Sequence, residues 1–239
     1  MKNKFLLAII LIVAALTAGF VYSRKQKATV PPIENSYQEN KPDAIEDNHV
    51  LINVPFTSQA PNANWSDPRQ QDGCEEASIL MAWLWINNKT MSKAEAEKEI
   101  IAISDFELER YGNYHDTNAA DTARTMKDYY GYDKLEVKMD PTIEDIKDAM
   151  REGKVVLVPA NGQRLANPNY KPPGPTTHML VIKGFDDARG KFITNDPGTR
   201  LGDGFEFTYQ NVFNAMVDYP SGDHLSQEGR PKSMISIQK

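Results

Sequence analysis

The chain predicts an α+β domain, with helices gathered in its first half and an antiparallel sheet in its second. Three observations lead there. Helix-periodic apolar runs and helix-capping residues are concentrated between residues 74 and 130. Beyond residue 134, short runs rich in Val and Ile are punctuated by Asp, Gly and Pro, as strands and turns require. Two of those runs, residues 178–185 and 191–195, flank the turn Asp186-Asp187-Ala188-Arg189-Gly190 and read as a hairpin.

Each element follows in order. Residues 1–23 carry Lys2 and Lys4, then an unbroken apolar stretch closed by Arg24, Lys25 and Lys27. That stretch is just long enough to span a bilayer as a helix, and it exceeds the usual signal-peptide core. An uncleaved membrane anchor is therefore expected, with a signal peptide as the competing reading. Residues 24–49 contain Pro31, Pro32 and Pro42 among polar and acidic residues and read as a flexible linker. The globular domain is expected over residues 50–239, long enough for one sizeable core.

Within it, residues 50–56 read as a strand and residues 57–71 as a loop rich in Gln, Asn and Pro. Residues 74–87 form a helix apolar over a wide face, hence central. Ser92 and Glu95 have capping-box spacing and open a helix through residue 103, followed by an irregular stretch to residue 117. A further helix covers residues 118–130 and ends at Gly131. Residues 134–139 alternate like a strand, and Thr142 with Asp145 starts a helix to residue 151. Val155-Val156-Leu157-Val158-Pro159 is a buried strand, and residues 161–177 form a long Pro/Gly-rich loop of the kind that rims functional sites. After the hairpin come a strand at 205–208, a helix at 210–217 and a closing strand at 233–237.

Composition narrows the function classes. Net charge is −6, and no basic cluster follows the apolar start, so nucleic acid is not an expected partner. A single cysteine excludes an internal disulfide scaffold, and no Cys-x-x-Cys metal spacing exists; no metal or cofactor is called for. A short N-terminus ahead of a large C-terminal domain fits a domain held outside the membrane, as a monomer.

The one cysteine carries the chemistry. Cys74 follows Gly73 at the start of its helix, where unpaired backbone N–H groups and the helix dipole stabilise a thiolate. A thiol nucleophile needs an imidazole. Of four histidines, His49 lies in the linker, His224 in a polar C-terminal loop and His115 in an irregular stretch, all readable as solvated. His178 instead starts an apolar strand directly after the long loop. With a five-residue turn its hairpin partner falls near Gly198, which makes Asp196 its diagonal neighbour and a carboxylate able to orient the ring. Asn195 points to the opposite face and stays a minor alternative. Gln59, Gln70 and Gln71 are all possible side-chain oxyanion donors beside the Cys74 backbone N–H.

Val54-Pro55-Phe56-x-Ser58-Gln59, Gly73-Cys74-Glu75-x-Ala77-Ser78, His178-Met179-Leu180-Val181-Ile182-x-Gly184-Phe185 and Asn195-Asp196-Pro197-Gly198, in this order, resemble the bacteriocin-processing (double-glycine) peptidase-like family. The resemblance spans residues 52–219. It implies a papain-like cysteine peptidase fold, with the cysteine's helix packed on the sheet. It also implies Cys74 as nucleophile, His178 as base, Asp196 as orienter and Gln59 as oxyanion donor, acting on peptide or protein substrates. Two features depart from the leader-peptidase pattern. Gly-Cys-Glu stands where those members carry Asp-Cys-Gly, as in stand-alone relatives, and residues 60–71 are inserted between Gln59 and the cysteine. No transporter domain or P-loop follows, so export-coupled leader removal is not implied. A cell-wall peptide amidase and a catalytically silent binding domain of the same fold are the alternatives.

Overall fold

The computed structural model describes residues 48–239. The expected anchor at 1–23 and nearly all of the linker at 24–49 lie outside the described residues. Among the described residues, no helix is long and apolar enough to cross a membrane.

The first strand, β1 (His49–Leu51), is shorter than the run of residues 50–56 suggested: its contact with β4 ends with the Ile52 N–H on the Lys183 carbonyl, and Pro55 has no N–H to resume a ladder. His49 thus belongs to the sheet, not to a linker, with its half-exposed ring near Asp186. A one-turn helix α1 (Pro68–Gln71), capped by Asp67, interrupts the expected loop. Then α2 (Cys74–Ile86) is buried almost all round, with Ile79, Leu80, Met81 and Ala82 inaccessible. The Ser92–Glu95 capping box starts α3 (Lys93–Tyr111), which continues well past residue 103 to Gly112 in the left-handed region. Its second half hides two polar residues on the core side, Ser104 and Glu107, which masks the apolar period. The fourth helix, α4 (Ala119–Tyr130), has Asn118 as N-cap and left-handed Gly131 at its end.

The sheet half opens with β2 (Leu135–Met139), then α5 (Ile143–Arg151) with its Thr142–Asp145 capping box, and β3 (Val155–Ala160). A second one-turn helix, α6 (Gly162–Leu165), sits inside the long loop. The hairpin is β4 (His178–Asp186) and β5 (Lys191–Asn195), followed by β6 (Asp203–Thr208), α7 (Tyr209–Ala215) and β7 (Ser233–Ile237). The sheet is seven-stranded and antiparallel, in the order β2-β7-β3-β4-β5-β6, with β1 added to one end of β4. β7 does not sit at an edge. It inserts between β2 and β3, pairing Ile235 with both Val137 and Leu157.

Alternation along the central strands feeds two cores. Val155, Leu157, Met179 and Val181 face the layer of α2, α3 and α4. Val156, Val158, Leu180 and Ile182 face the layer of α5 and α7. Both faces are covered, which explains why β3 reads as an unbroken apolar run although the sheet is antiparallel. Gly184 is required by a close approach: a Cβ there would stand 2.3 Å from the Val50 carbonyl oxygen. The β4–β5 register shifts between Ile182 and Gly184.

Candidate active site

The hairpin brings His178 and Asp196 together. At the turn, Asp186 opposes Lys191; beyond the bulge, Val181 opposes Asn195, and the continuation sets His178 against Gly198. His178 Nε2 donates to Asp196 Oδ1 at 2.8 Å, both side chains being essentially inaccessible. That bond keeps a proton on Nε2 and leaves Nδ1 as the free ring nitrogen. Gly198 is fixed by the same pair: a Cβ on it would lie 2.9 Å from His178 Cε1 and 3.3 Å from Asp196 Oδ1. Asn195 turns to the other face, donating to the Val54 and Pro55 carbonyls.

Asp196 is fully buried. Its Oδ2 accepts from Tyr170 Oη at 2.6 Å and from Asn167 Nδ2 at 2.7 Å, and its Oδ1 also accepts the Gly198 N–H. Burial works to raise its carboxyl. The His178 charge and the hydrogen bonds from His178, Tyr170 and Asn167 outweigh that and hold it below the usual carboxylate range. Asn167 and Tyr170 come from the long 161–177 loop. Nothing in their spacing pointed to them; the only signal was the loop's position ahead of His178.

Cys74 is the first residue of α2, buried, and lines the same cleft as His178. Its Sγ donates to Glu75 Oε2 at 2.9 Å. Burial pushes the thiol well above its ordinary value, and the Glu75, Asp116 and Glu76 carboxylates add to that. The dipole of α2, expected to favour a thiolate, is thus opposed by its own first-turn acids. Glu75 is itself immobilised: Oε1 accepts from the Thr117 N–H and from Tyr219 Oη. Burial, then the Asp116 charge, push its carboxyl up to about 7. Glu75 is the thiol's neighbour that the sequence concealed, because a Glu in a first helical turn has an ordinary dipole role.

The glutamines separate. Gln70 points to Glu97, and Gln71 donates to the Trp65 carbonyl. Gln59 lines the cleft with Cys74, and its backbone N–H is tied to Pro197 O. Its Nε2 donates to the Gln70 and Gln71 carbonyls at 3.0 and 2.7 Å, so both amide hydrogens are engaged, and its buried Oε1 has no partner. The Cys74 backbone N–H stands at the open end of α2.

His224 is exposed, as expected, and His115 half-buried, yet both rings are held by carboxylates. His115 Nδ1 donates to Asp72 Oδ2 at 2.7 Å, and His224 donates to Asp116 Oδ2 through both Nδ1 and its backbone N–H. Among the described residues, Asp72, Asp116 and His224 are close enough to share a metal ion, yet their atoms already satisfy one another. The cleft that joins these groups encloses about 1130 Å³, ample for several residues of an extended peptide.

A cysteine-bearing helix set against an antiparallel sheet that supplies a His–Asp pair defines the papain-like peptidase fold. The chain belongs to the Peptidase_C39 like family, whose sequence model covers residues 51–220. The fold is also similar to the crystal structure of a candidate C39-like peptidase from Bacillus anthracis, at TM-score 0.52 and 16% identity, covering 80% of this chain and 98% of that one. No curated protein matches the chain.

Proposed function

We propose that the protein is a cysteine peptidase in which Cys74 attacks a peptide carbonyl, His178 moves the proton and Asp196 orients the imidazole. The observation that carries this reading is the buried His178–Asp196 bond opening onto the cleft that also contains Cys74. The imidazole Nδ1 takes the thiol proton and returns it to the leaving amine; the acyl-enzyme is then released by water. The free N–H of Cys74 supplies one oxyanion donor. Gln59 supplies the second only by releasing the Gln70 or Gln71 carbonyl when substrate binds. We further propose that residues 1–23 anchor the protein in the membrane with this domain outside it; protease accessibility in intact cells tests that placement.

One observation favours the silent-domain reading: the thiol is bonded to Glu75, and Gln59 is occupied. Labelling with an epoxide or iodoacetamide probe at neutral pH decides between them. Strong labelling of Cys74 that is lost in His178→Ala supports the peptidase. A thiol that reacts only above about pH 8.5, with or without His178, refutes it.

A further inference from the structure

Beside the catalytic cleft lies a second cavity of about 420 Å³, and the two share Ser58, Pro61, Lys93 and Arg200. The smaller cavity is walled mainly by apolar side chains: Phe56, Pro61, Leu84 and Met91. Leu84 and Pro61 are buried, whereas Met91 is 37% exposed at the mouth. The backbone of residues 55–61 runs along both cavities, so they form one groove leading away from Cys74.

The charges along this groove are unbalanced. Lys93 and Arg200 stand where the cavities join, and Lys171 lies further along the catalytic cleft. Among the described residues, none of the three has an ion-pair or hydrogen-bond partner on its side chain. The acids of the catalytic cleft, Asp72 and Asp116, are hydrogen-bonded to His115 and His224, and neither lines the second cavity, whose only charged lining residues among those described are Lys93 and Arg200. In a chain of net charge −6, the groove therefore offers uncompensated positive charge next to an apolar pocket.

We propose that the second cavity is a substrate subsite for a peptide segment with an apolar side chain next to a carboxylate, the apolar group seated on Phe56 and Leu84 and the carboxylate between Lys93 and Arg200. This deepens the peptidase reading by naming a substrate class, and it rests on that reading only for the direction of the groove. The volume of about 420 Å³ has room for a Leu- or Phe-sized group. The two cations give the carboxylate both attraction and orientation, Arg200 through its planar fork.

The test is direct binding to the full-length Cys74→Ala protein, so that turnover plays no part. Fluorescein-labelled, C-terminally amidated hexapeptides Ala-Ala-Leu-Glu-Ala-Ala and Ala-Ala-Glu-Leu-Ala-Ala are compared by anisotropy with their Leu-Gln and Gln-Leu twins and with Ser-for-Leu versions. A further arm, Ala-Ala-Ala-Leu as free acid against amide, shows whether a C-terminal carboxylate serves in place of a side chain. One acidic peptide binds about tenfold more tightly than its neutral twin, and raising salt shrinks the gap. Arg200→Gln and Lys93→Gln each return about threefold, and the Ser version loses affinity whatever the charge. Equal affinities for acidic and neutral peptides, or a preference unchanged in Arg200→Gln/Lys93→Gln, overturn the proposal. Cys74 labelling then still reports separately on the peptidase.

Discussion

Replacing Glu75 by glutamine tests how the nucleophile is held. Cys74 Sγ lies 2.9 Å from Glu75 Oε2, and the carboxyl sits at about 7. Two negative charges at that separation repel by ~6 kcal/mol even at an effective dielectric of about 20. Thiol and carboxyl therefore share a single proton. Above the carboxyl's value of about 7, the proton that the thiol gives up outside the transfer to His178 stays on Glu75 and does not enter solvent, and that thiolate fraction stops rising with pH. In Glu75→Gln the proton leaves for water, and the thiolate gains about tenfold per pH unit. The variant's iodoacetamide alkylation rate is thus about tenfold above wild type at pH 8, with the ratio falling to about one below pH 7. The new amide keeps its oxygen on the Thr117 N–H and Tyr219 Oη, so the fold survives. The assay is pseudo-first-order alkylation across pH, read by mass spectrometry. Parallel pH curves for the two proteins, or no gain at pH 8, refute a shared proton.

Three further outcomes are expected. Tyr170→Phe removes a 2.6 Å donor from Asp196 and costs ~2 kcal/mol. Because Asp196 is held below the carboxylate range, its stabilisation exists above the unfolded value and is lost as pH falls through the folded one, so the acid-unfolding midpoint moves to higher pH. An unmoved midpoint contradicts this. Gly198→Ala forces a methyl against the His178 ring and slows Cys74 labelling by roughly 10- to 100-fold with the fold retained; a wild-type rate would show that the ring is free to shift. Burial pushes Glu107 up to about 7, so the associated stability is complete below the unfolded value and disappears as pH rises through about 7. Glu107→Gln cannot ionise and keeps the Thr125 hydroxyl bond, so the fall in Tm from about pH 5 to pH 8 flattens. A pH dependence identical to wild type counts against the assignment.

What the sequence exposed was chiefly local chemistry. Ser92 with Glu95, Thr142 with Asp145, and Asn118 with Gly131 marked helix ends correctly, because capping is decided within one turn. The His178–Asp196 pairing was legible for a similar reason: a short turn fixes which residues meet across a hairpin. Even so, the register at the turn is one residue off the expected one, and the irregularity near Lys183 restores it before the site. Long-range polar contacts were hidden. Glu107 is buried on the core face of α3 beside Glu76 on α2, a contact between helices that no local pattern announces. Asn167, Tyr170 and His224 reach the site from irregular segments, where spacing carries no orientation. The occupied amide of Gln59 depends on where α1 leaves its carbonyls, which residue identity cannot reveal.

The placement of β7 between β2 and β3 sets the order in which the molecule can be completed. The cysteine's helix is made early, and the His–Asp hairpin leaves the ribosome later. Neither finds a finished sheet until Ser233–Ile237 has arrived to bridge two strands made long before it. Until then, β2 and β3 each present an open edge, and Leu157 lacks its partner Ile235. A nascent or truncated chain therefore carries Cys74, His178 and Asp196 without the completed sheet beneath them. The described domain thus closes its sheet with one of its last elements, after the segments that carry the candidate site.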